Sequence, residues 1–204
     1  MTAVRADSAA RGVDSPHGNG QPHGADQPHG ADRPHPDASL RPTDPAEARV
    51  WDLAAQVLDP EVPVLTIEDL GVLRTVILSE NGVEVVLTPT YSGCPAIDQM
   101  RDDVTAKLHE AGYKQVCVST TLSPAWTTDW MSENGKRKLE AYGIAPPDFR
   151  SAARRGPVLV PLAVKCPRCH STQTREIARF GSTSCKALYE CTACLEPFDY
   201  FKVH

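Results

Sequence analysis

The 204-residue sequence has no long apolar run. None of its segments approaches the ~18–20 apolar residues that a membrane-spanning helix needs, so we predict no membrane segment. The first residues also lack the basic stretch followed by an apolar stretch that is typical of a secretory signal. We therefore expect a cytoplasmic protein. In that compartment its seven cysteines are expected to serve as metal ligands or reactive thiols rather than as disulfides.

The sequence also has no excess of positive charge and no complete catalytic motif. Its net charge of -5 argues against broad nucleic-acid binding, which usually requires a basic face. We find no Ser-His-Asp arrangement, phosphate-binding loop or dinucleotide fingerprint, and the only chemistry that recurs is that of thiols. These absences favour a non-catalytic protein and leave open a part in a multicomponent enzyme.

The first 44 residues have no periodic apolar pattern and contain a short repeat, "SPHGNG", "QPHGAD", "QPHGAD", "RPHPDA". Proline, glycine and aspartate at this density bury too little surface to offset chain entropy, so residues 1–44 are predicted to be a disordered tail. The repeat spaces four histidines six residues apart, at His17, His23, His29 and His35. They could bind a transition metal weakly, but a solvated low-complexity tail is the favoured interpretation.

Residues 45–147 show the order helix, strand, strand, helix, strand, helix. This order predicts a compact α+β domain with a small mixed sheet. Thr43 or Asp44 is the predicted cap of the first helix. Asn81-Gly82 indicates a hairpin between the strands "LRTVILS" and "VEVVLTPT".

The second half of this domain is predicted from two further patterns. The helix "AIDQMRDDVTAKLHEAG" leads into a third strand, "QVCVSTTL", in which Cys117 is predicted to be a buried core thiol. A last helix is predicted to begin at Thr127 or Thr128. Gly135 is unfavourable inside a helix, and we predict that the helix breaks there.

Cys94 lies in the stretch "YSGCP", where a strand gives way to a helix. Pro95 suits the first helical turn, which would put Cys94 at the cap, where unpaired backbone N–H groups point. Such a position stabilises a thiolate. Position alone leaves two interpretations open, a reactive thiol and a small apolar residue that closes the turn.

Two Cys-x-x-Cys pairs separated by 21 residues follow a predicted linker at 148–160. Two such turns can supply four thiolates to a tetrahedral metal, and we predict a zinc ribbon at 161–204. A module of about 44 residues has too small a core to fold unaided, so the metal would be its main stabiliser. The predicted ligands are Cys166, Cys169, Cys191 and Cys194.

Zinc and iron both accept four thiolates, so the identity of the metal needs a further argument. His170 and Leu195 follow the two pairs at positions where rubredoxin iron sites have a small residue, which favours zinc. Redox-active dithiols are a weaker alternative. The ribbon also contains Cys185, which could be an alternative ligand, a working thiol or a spectator. Because zinc ribbons often bind nucleic acid and this one is mildly basic, a nucleic-acid-binding protein remains an alternative.

Several segments carry a family resemblance. "DPEVPVLTIEDLG" followed by "LTPTYSGCP" resembles the signature of the iron–sulfur assembly domain. With "WTTDWMSENGKRKLEAYGIAPP" and "FGSTSCKALYECTACLEPFDYFK", the sequence resembles the D subunits (J in some systems) of the bacterial phenylacetyl-CoA epoxidase. The resemblance covers about residues 46–204. It implies an accessory role in aerobic phenylacetate degradation, with the oxygenase or reductase subunits as partners.

The resemblance also implies site residues. The family's acidic motif falls on Asp59 and Glu61, its Asp-Leu-Gly motif on Asp69 to Gly71, and its cysteine on Cys94. We hypothesise that Cys94 transiently holds iron or an iron–sulfur cluster, that Asp59 or Glu61 assists, and that the ribbon docks onto the partner. The alternatives are a direct structural or redox part in the monooxygenase and, for the carboxylates, a turn cap at Asp59 and a solvated Glu61.

Overall fold

The computed structural model describes residues 40–147 and 164–203. Most of the predicted tail, 1–44, and the whole predicted linker, 148–160, lie outside the described residues. The described residues form a mixed α+β domain and, after it, a small antiparallel sheet that carries the paired cysteines. This confirms the predicted fold class. None of the described helices has the length and apolar character to cross a bilayer.

The α+β domain begins with helix α1, Pro45–Ala54. The Asp44 side chain accepts hydrogen bonds from the backbone N–H groups of Ala46 and Glu47, at 2.9 and 3.0 Å. These bonds satisfy two of the N–H groups that the first turn leaves unpaired. Asp44, one of the two residues predicted for this position, is therefore the cap of the first helix.

Three strands form the sheet of this domain. Strands β1, Leu73–Ser79, and β2, Gly82–Leu87, pair antiparallel as the predicted hairpin. Helix α2, Ala96–Glu110, then crosses over to strand β3, Val116–Thr120, which pairs parallel to β2. The order β1-β2-β3 is thus the predicted mixed sheet. Both helices pack against one face of it, and the opposite face is largely exposed.

The prediction that Cys117 is a core thiol is wrong. Cys117 is exposed, whereas its neighbour Val118 is buried. Successive strand residues point to opposite faces. Cys117 lies opposite Glu84 on the face that the helices do not cover. Apolar flanking residues therefore misled the prediction, because only one of the two faces of β3 is buried.

The predicted last helix is divided, but not at Gly135. A single 3-10 turn spans Thr128–Trp130, and helix α3 spans Glu133–Tyr142, with the Ser132 side chain accepting from the N–H of Gly135 at 2.9 Å. A Cβ atom at Gly135 would approach the carbonyl oxygen of Asp69 to 2.9 Å. The absence of a side chain at Gly135 thus allows α3 to approach a loop closely, which outweighs its poor helix propensity.

Asp69 joins that loop to α3. Its carboxylate accepts from the hydroxyl of Ser132 and the amide of Asn134, at 3.0 and 3.1 Å, and from the ammonium of Lys138. It also accepts from both the N–H and the hydroxyl of Thr66. Burial opposes ionisation, yet these donors together lower the pKa of Asp69 below its ordinary 3.8. The Asp-Leu-Gly motif therefore has a structural role here.

The C-terminal sheet is antiparallel and consists of β4, Thr174–Ala178, β5, Lys186–Cys191, and β6, Pro197–Phe201, in that order. It packs on the α+β domain through β6. Ala145 forms a bridge with Tyr200, and the backbone bonds that flank it, to Asp199 and Phe201, measure 2.8 and 2.9 Å.

Phe201 anchors this contact. Its side chain is 1% exposed, and its ring centroid lies 6.3 Å from that of Trp126 in the α+β domain. Phe201 and Cys185 both belong to the apolar core of the α+β domain. The ribbon is therefore packed onto its neighbour in the chain and is not an independent appendage.

We predict that Asp69→Asn lowers the free energy of unfolding by about 2 kcal/mol at neutral pH, because a charged acceptor with several donors is lost. The cost is moderated by the partial exposure of Lys138. Denaturant unfolding measures the difference. Because the folded-state pKa is lowered, the stabilisation is present above pH 3.8 and is lost as pH falls through the folded pKa, so the two proteins should converge in acid.

The matched control is Asp52→Asn, which removes an exposed carboxylate that pairs with Arg41. It should change stability far less, because exposed ion pairs contribute little. An Asp69→Asn protein as stable as the control would contradict the assigned role.

Candidate functional site

Two turns of the ribbon, one in each Cys-x-x-Cys segment, adopt the same backbone geometry. The N–H of His170 donates to the carbonyl of Cys166 at 2.9 Å, and the N–H of Leu195 donates to that of Cys191 at 2.8 Å. His170 and Leu195 have φ of 61° and 63°, a left-handed conformation that costs roughly 1–2 kcal/mol outside glycine. Both knuckles therefore keep the tight turn that brings two sulfurs together, although neither ends in glycine.

The four predicted cysteines converge. Their sulfur atoms all lie within 4.8 Å of one another, with Cys166 Sγ 3.8 Å from Cys194 Sγ and Cys169 Sγ 3.5 Å from Cys191 Sγ. Zinc–sulfur bonds of ~2.3 Å in a tetrahedron put the sulfurs about 3.8 Å apart. The donor set therefore fits a tetrahedral metal and points to a structural zinc site.

The surroundings shift the pKa values of two of these thiols in opposite directions. Backbone N–H groups of Cys194 and Ala193 donate to the Cys191 sulfur and lower its pKa to about 7. The pKa of Cys194 is raised to about 12 although the N–H of Glu196 donates to it, because burial and the neighbouring sulfurs of Cys169, Cys191 and Cys166 oppose a further negative charge. A divalent cation would offset that repulsion and stabilise all four thiolates together.

Cys94 lies beside a helix N-terminus, one position earlier than predicted. The cap residue is Pro95, which offers no side-chain bond, and helix α2 begins at Ala96. The turn is closed by a bond from the N–H of Cys94 to the carbonyl of Tyr91, at 3.3 Å. The Cys94 side chain is 7% exposed and contributes to the core. It is therefore a buried residue at the edge of the apolar core.

The electrostatic environment of Cys94 disfavours the thiolate. Burial is the largest cause, and the Glu61 and Asp59 carboxylates add to it, so the pKa of Cys94 is raised above 9.0. Hydrogen bonds from the backbone of Ala96 and the side chain of Tyr91 lower the pKa of Cys94, but by less than burial and the carboxylates raise it. The predicted helix effect is present, but it is outweighed.

The two predicted carboxylates have different roles in this region. Asp59 is 7% exposed, and its Oδ1 accepts from the N–H groups of Glu61 and Val62 at 2.6 and 3.0 Å. Asp59 therefore caps a turn, which was one of the two roles considered for it. Burial raises its pKa despite those bonds and despite Lys186. Glu61 is half-buried rather than fully solvated, and burial together with Asp59 raises its pKa as well.

Cys185 is the residue that sequence reasoning failed to place. It is 4% exposed, its sulfur lies 3.9 Å from Glu61 Oε2, and the Thr183 hydroxyl lies 3.0 Å away. Burial raises its pKa to about 11, and the two carboxylates add to the effect. Tyr91 hydrogen-bonds both to Cys94 and to Ser184, which precedes Cys185, so the ribbon brings a second thiol to the region of Cys94. The "FGSTSCK" segment of the resemblance was the available signal for this position.

Two further ribbon residues lie near these thiols and carboxylates. Lys186 is 5% exposed, lies 3.7 Å from Asp199 and partly offsets the charge of Asp59 and Glu61. Ser184 hydrogen-bonds to Tyr91, whose pKa rises to about 12 mainly through burial and proximity to Cys94. We call Cys94, Cys185, Glu61 and Asp59 the thiol–carboxylate cluster.

The thiol–carboxylate cluster is not closed as the ribbon site is. Within residues 40–147 and 164–203, only the four ribbon cysteines bring three or more potential ligand atoms within 4.8 Å of one another. A metal in the thiol–carboxylate cluster would therefore require side-chain movement, whereas the ribbon site is preformed.

The chain matches two known protein families in succession. Residues 47–119 match the family described as iron-sulfur cluster assembly protein, and residues 152–202 match the PaaD zinc beta ribbon domain. The first match contains Asp59, Glu61 and Cys94, and the second contains all four ribbon cysteines and Cys185.

Curated relatives match over different lengths. A protein of Escherichia coli strain K12, provisionally named as the D subunit of 1,2-phenylacetyl-CoA epoxidase, is 46% identical over 158 residues, which are 78% of this chain and 93% of the relative. A protein of Porphyromonas gingivalis named Fe-S protein maturation auxiliary factor is 39% identical over 85 residues, 41% of this chain and 80% of the relative.

Two solved structures are similar to part of the chain. One is Domain of Unknown Function DUF59 from Bacillus anthracis, with 28% identity, a TM-score of 0.43 and coverage of 46% of this chain and 90% of the other. The second is a conserved hypothetical protein from Thermotoga maritima, with 25% identity, a TM-score of 0.39 and coverage of 50% and 98%.

We predict that Cys191→Ser abolishes stoichiometric zinc binding and loosens the ribbon, because structural zinc contributes on the order of 10–16 kcal/mol in comparable modules. Zinc released per chain and limited proteolysis of the ribbon measure the two effects. Cys117→Ser, which changes an exposed cysteine outside the site, is the control and should retain zinc. A protease-resistant, zinc-free Cys191→Ser protein would exclude the metal as the stabiliser.

We also predict that iodoacetamide at pH 7.5 modifies exposed Cys117 at least about tenfold faster than Cys94 or Cys185, since thiolate fraction and access govern the rate. Peptide mass spectrometry of the zinc-bound protein measures each site. Cys94 modification as rapid as that of Cys117 would mean an open, activated thiolate and would contradict its burial and raised pKa.

Proposed function

This chain belongs to the family of phenylacetyl-CoA epoxidase D subunits, and from that premise we propose that it is a non-catalytic accessory protein that matures a metal centre of its partners. The partners are the oxygenase or reductase subunits of the epoxidase system in aerobic phenylacetate degradation. The cargo is iron or an iron–sulfur cluster. The observation that carries the proposal is the location of Cys94 at the edge of the core of an iron–sulfur assembly domain, within electrostatic reach of the Glu61 and Asp59 carboxylates.

The chemistry of the donors supports a role in handover. Thiolates are soft ligands that suit iron–sulfur chemistry, and carboxylates are hard ligands that accept hydrated ferrous iron. A site that mixes both without closing a coordination shell binds iron and also releases it. The contrast with the preformed four-thiol ribbon site supports a division between a permanent zinc and a transient cargo.

The charge balance of the thiol–carboxylate cluster also favours a cation. Burial is the largest cause of the raised pKa of Cys94 and of Cys185, and Glu61 and Asp59 add to it, so the cluster resists further negative charge. A bound cation would reverse this effect, because opposite charge favours the thiolate and the carboxylate forms. Lys186 offsets only part of the carboxylate charge.

The ribbon is proposed to hold structural zinc and to contact the partner. Its β6 strand is already used against the α+β domain, so a partner would meet other surfaces of the ribbon. Apolar side chains remain exposed there, with Leu195 at 72%, Phe180 at 65% and Ile177 at 52%. We propose that a partner would cover some of these side chains.

We expect Cys94→Ser to leave the fold and the ribbon zinc intact and to lower the iron content of the co-expressed oxygenase or reductase severalfold, because the cargo thiol is lost. Iron per partner protein and the visible spectrum of the reductase measure this. Cys117→Ser is the matched control and should support normal loading. If both partners load normally with Cys94→Ser, the proposed function is wrong.

A direct part in turnover is tested separately. Oxygenase and reductase that have been loaded with iron in vitro should turn over substrate without this chain. If activity still required the chain after loading, it would be a structural or redox component of the monooxygenase instead.

A further inference from the structure

We infer that the cargo site is shared between the two parts of the chain, with Cys185 of the ribbon as the second thiol ligand after Cys94 and with Glu61 as a carboxylate ligand. The ligand would be a divalent, thiol-binding cation of the ferrous type. This inference rests on the proposed function and deepens it, because it assigns half of the sulfur ligands to the ribbon.

The position of Glu61 is the first argument. Its Oε2 atom lies 3.9 Å from the Cys185 sulfur, although 124 positions separate the two residues in sequence. Tyr91 hydrogen-bonds both to Cys94 and to Ser184, the ribbon residue that precedes Cys185, so the two thiols lie on either side of one tyrosine. One carboxylate of the assembly domain therefore contacts the ribbon thiol, and both thiols belong to the same buried core.

The second argument is that packing alone does not account for Cys185. A spectator cysteine in a core is surrounded by hydrocarbon, whereas Cys185 contacts the Thr183 hydroxyl and the Glu61 carboxylate and precedes the buried Lys186. Burying polar and charged groups together is costly unless they are paired. A cation between the two thiols and Glu61 would pair them.

The way in which the ribbon is held supplies the third argument. Phe201 packs against Trp126, Ala145 bridges to Tyr200, and the N–H of Lys202 donates to the carbonyl of Cys185 at 2.9 Å. These contacts link the position of the Cys185 backbone to strand β6, which lies against the α+β domain. The ribbon zinc would therefore act at a distance, by keeping a second ligand in place.

Cobalt is a suitable probe, because thiolate-to-cobalt charge-transfer absorption per bound ion rises with the number of thiolate ligands. The full-length protein is first loaded with zinc in the ribbon and then titrated anaerobically with Co²⁺. We expect one additional site in the wild-type protein. Both Cys185→Ala and Cys94→Ala should lower the absorption per bound cobalt by about half and weaken binding at least tenfold. The double variant should show no thiolate absorption.

Two control variants separate ligation from packing. Cys117→Ala should behave as the wild type does, because its exposed thiol lies on the far face of the sheet. Phe201→Leu loosens the same contact without removing a ligand, so its absorption per bound cobalt should stay at the wild-type value even if its affinity falls. Cys185→Ser, which keeps a hydrogen-bonding group beside Thr183, serves if the alanine variant loses its zinc.

The outcomes are distinguishable. If Cys185→Ala and Cys185→Ser keep wild-type absorption and affinity while Cys94→Ala loses both, the shared site is wrong and the proposed function stands. If neither cysteine affects cobalt binding, or the wild type binds none beyond the ribbon, both the shared site and the Cys94 cargo role are wrong. Loss of about half the absorption in each single variant supports the shared site.

Discussion

The convergence of four thiols is the constraint on which the ribbon depends. Its separate apolar cluster comprises only Ala145, Cys166, Cys191 and Phe198 among the buried described residues, of which two are cysteines of the four-thiol group and one belongs to the preceding domain. Such a core is too small to hold three short strands together without further links. The knuckle turns at His170 and Leu195 accept left-handed backbone strain because they bring the sulfurs within reach of one metal.

The contact between the ribbon and the α+β domain follows from that constraint. Once the sheet is held, β6 can bridge to Ala145 and place Phe201 against Trp126. The same packing buries Cys185 next to Glu61. The four ribbon thiols are thus already grouped for one metal, whereas Cys94 and Cys185 are buried thiols that no such group includes among the described residues. If the proposed cargo role holds, the incomplete donor set around them suits a ligand that must leave again.

Much of the fold and of the candidate site could be predicted because local rules governed them. Asp44 caps a helix, Asn81-Gly82 forms a hairpin, and two Cys-x-x-Cys turns converge, all through patterns that short segments carry. The failures concern burial. Cys117 is exposed because only one face of β3 is covered, and Gly135 does not break its helix because it lies against Asp69. Both outcomes depend on contacts between segments that are distant in sequence, so a short segment could not predict them.

The sequence by itself determined the order of the elements, the family and the four thiols of the ribbon, because periodicity and ligand spacing are properties of short segments. Only the tertiary structure decided the state and the surroundings of Cys94. A helix terminus favours its thiolate, but burial and two carboxylates outweigh that effect, and both arise from contacts distant in sequence. The same holds for Cys185, whose relation to Glu61 exists only because the ribbon packs onto the neighbouring domain.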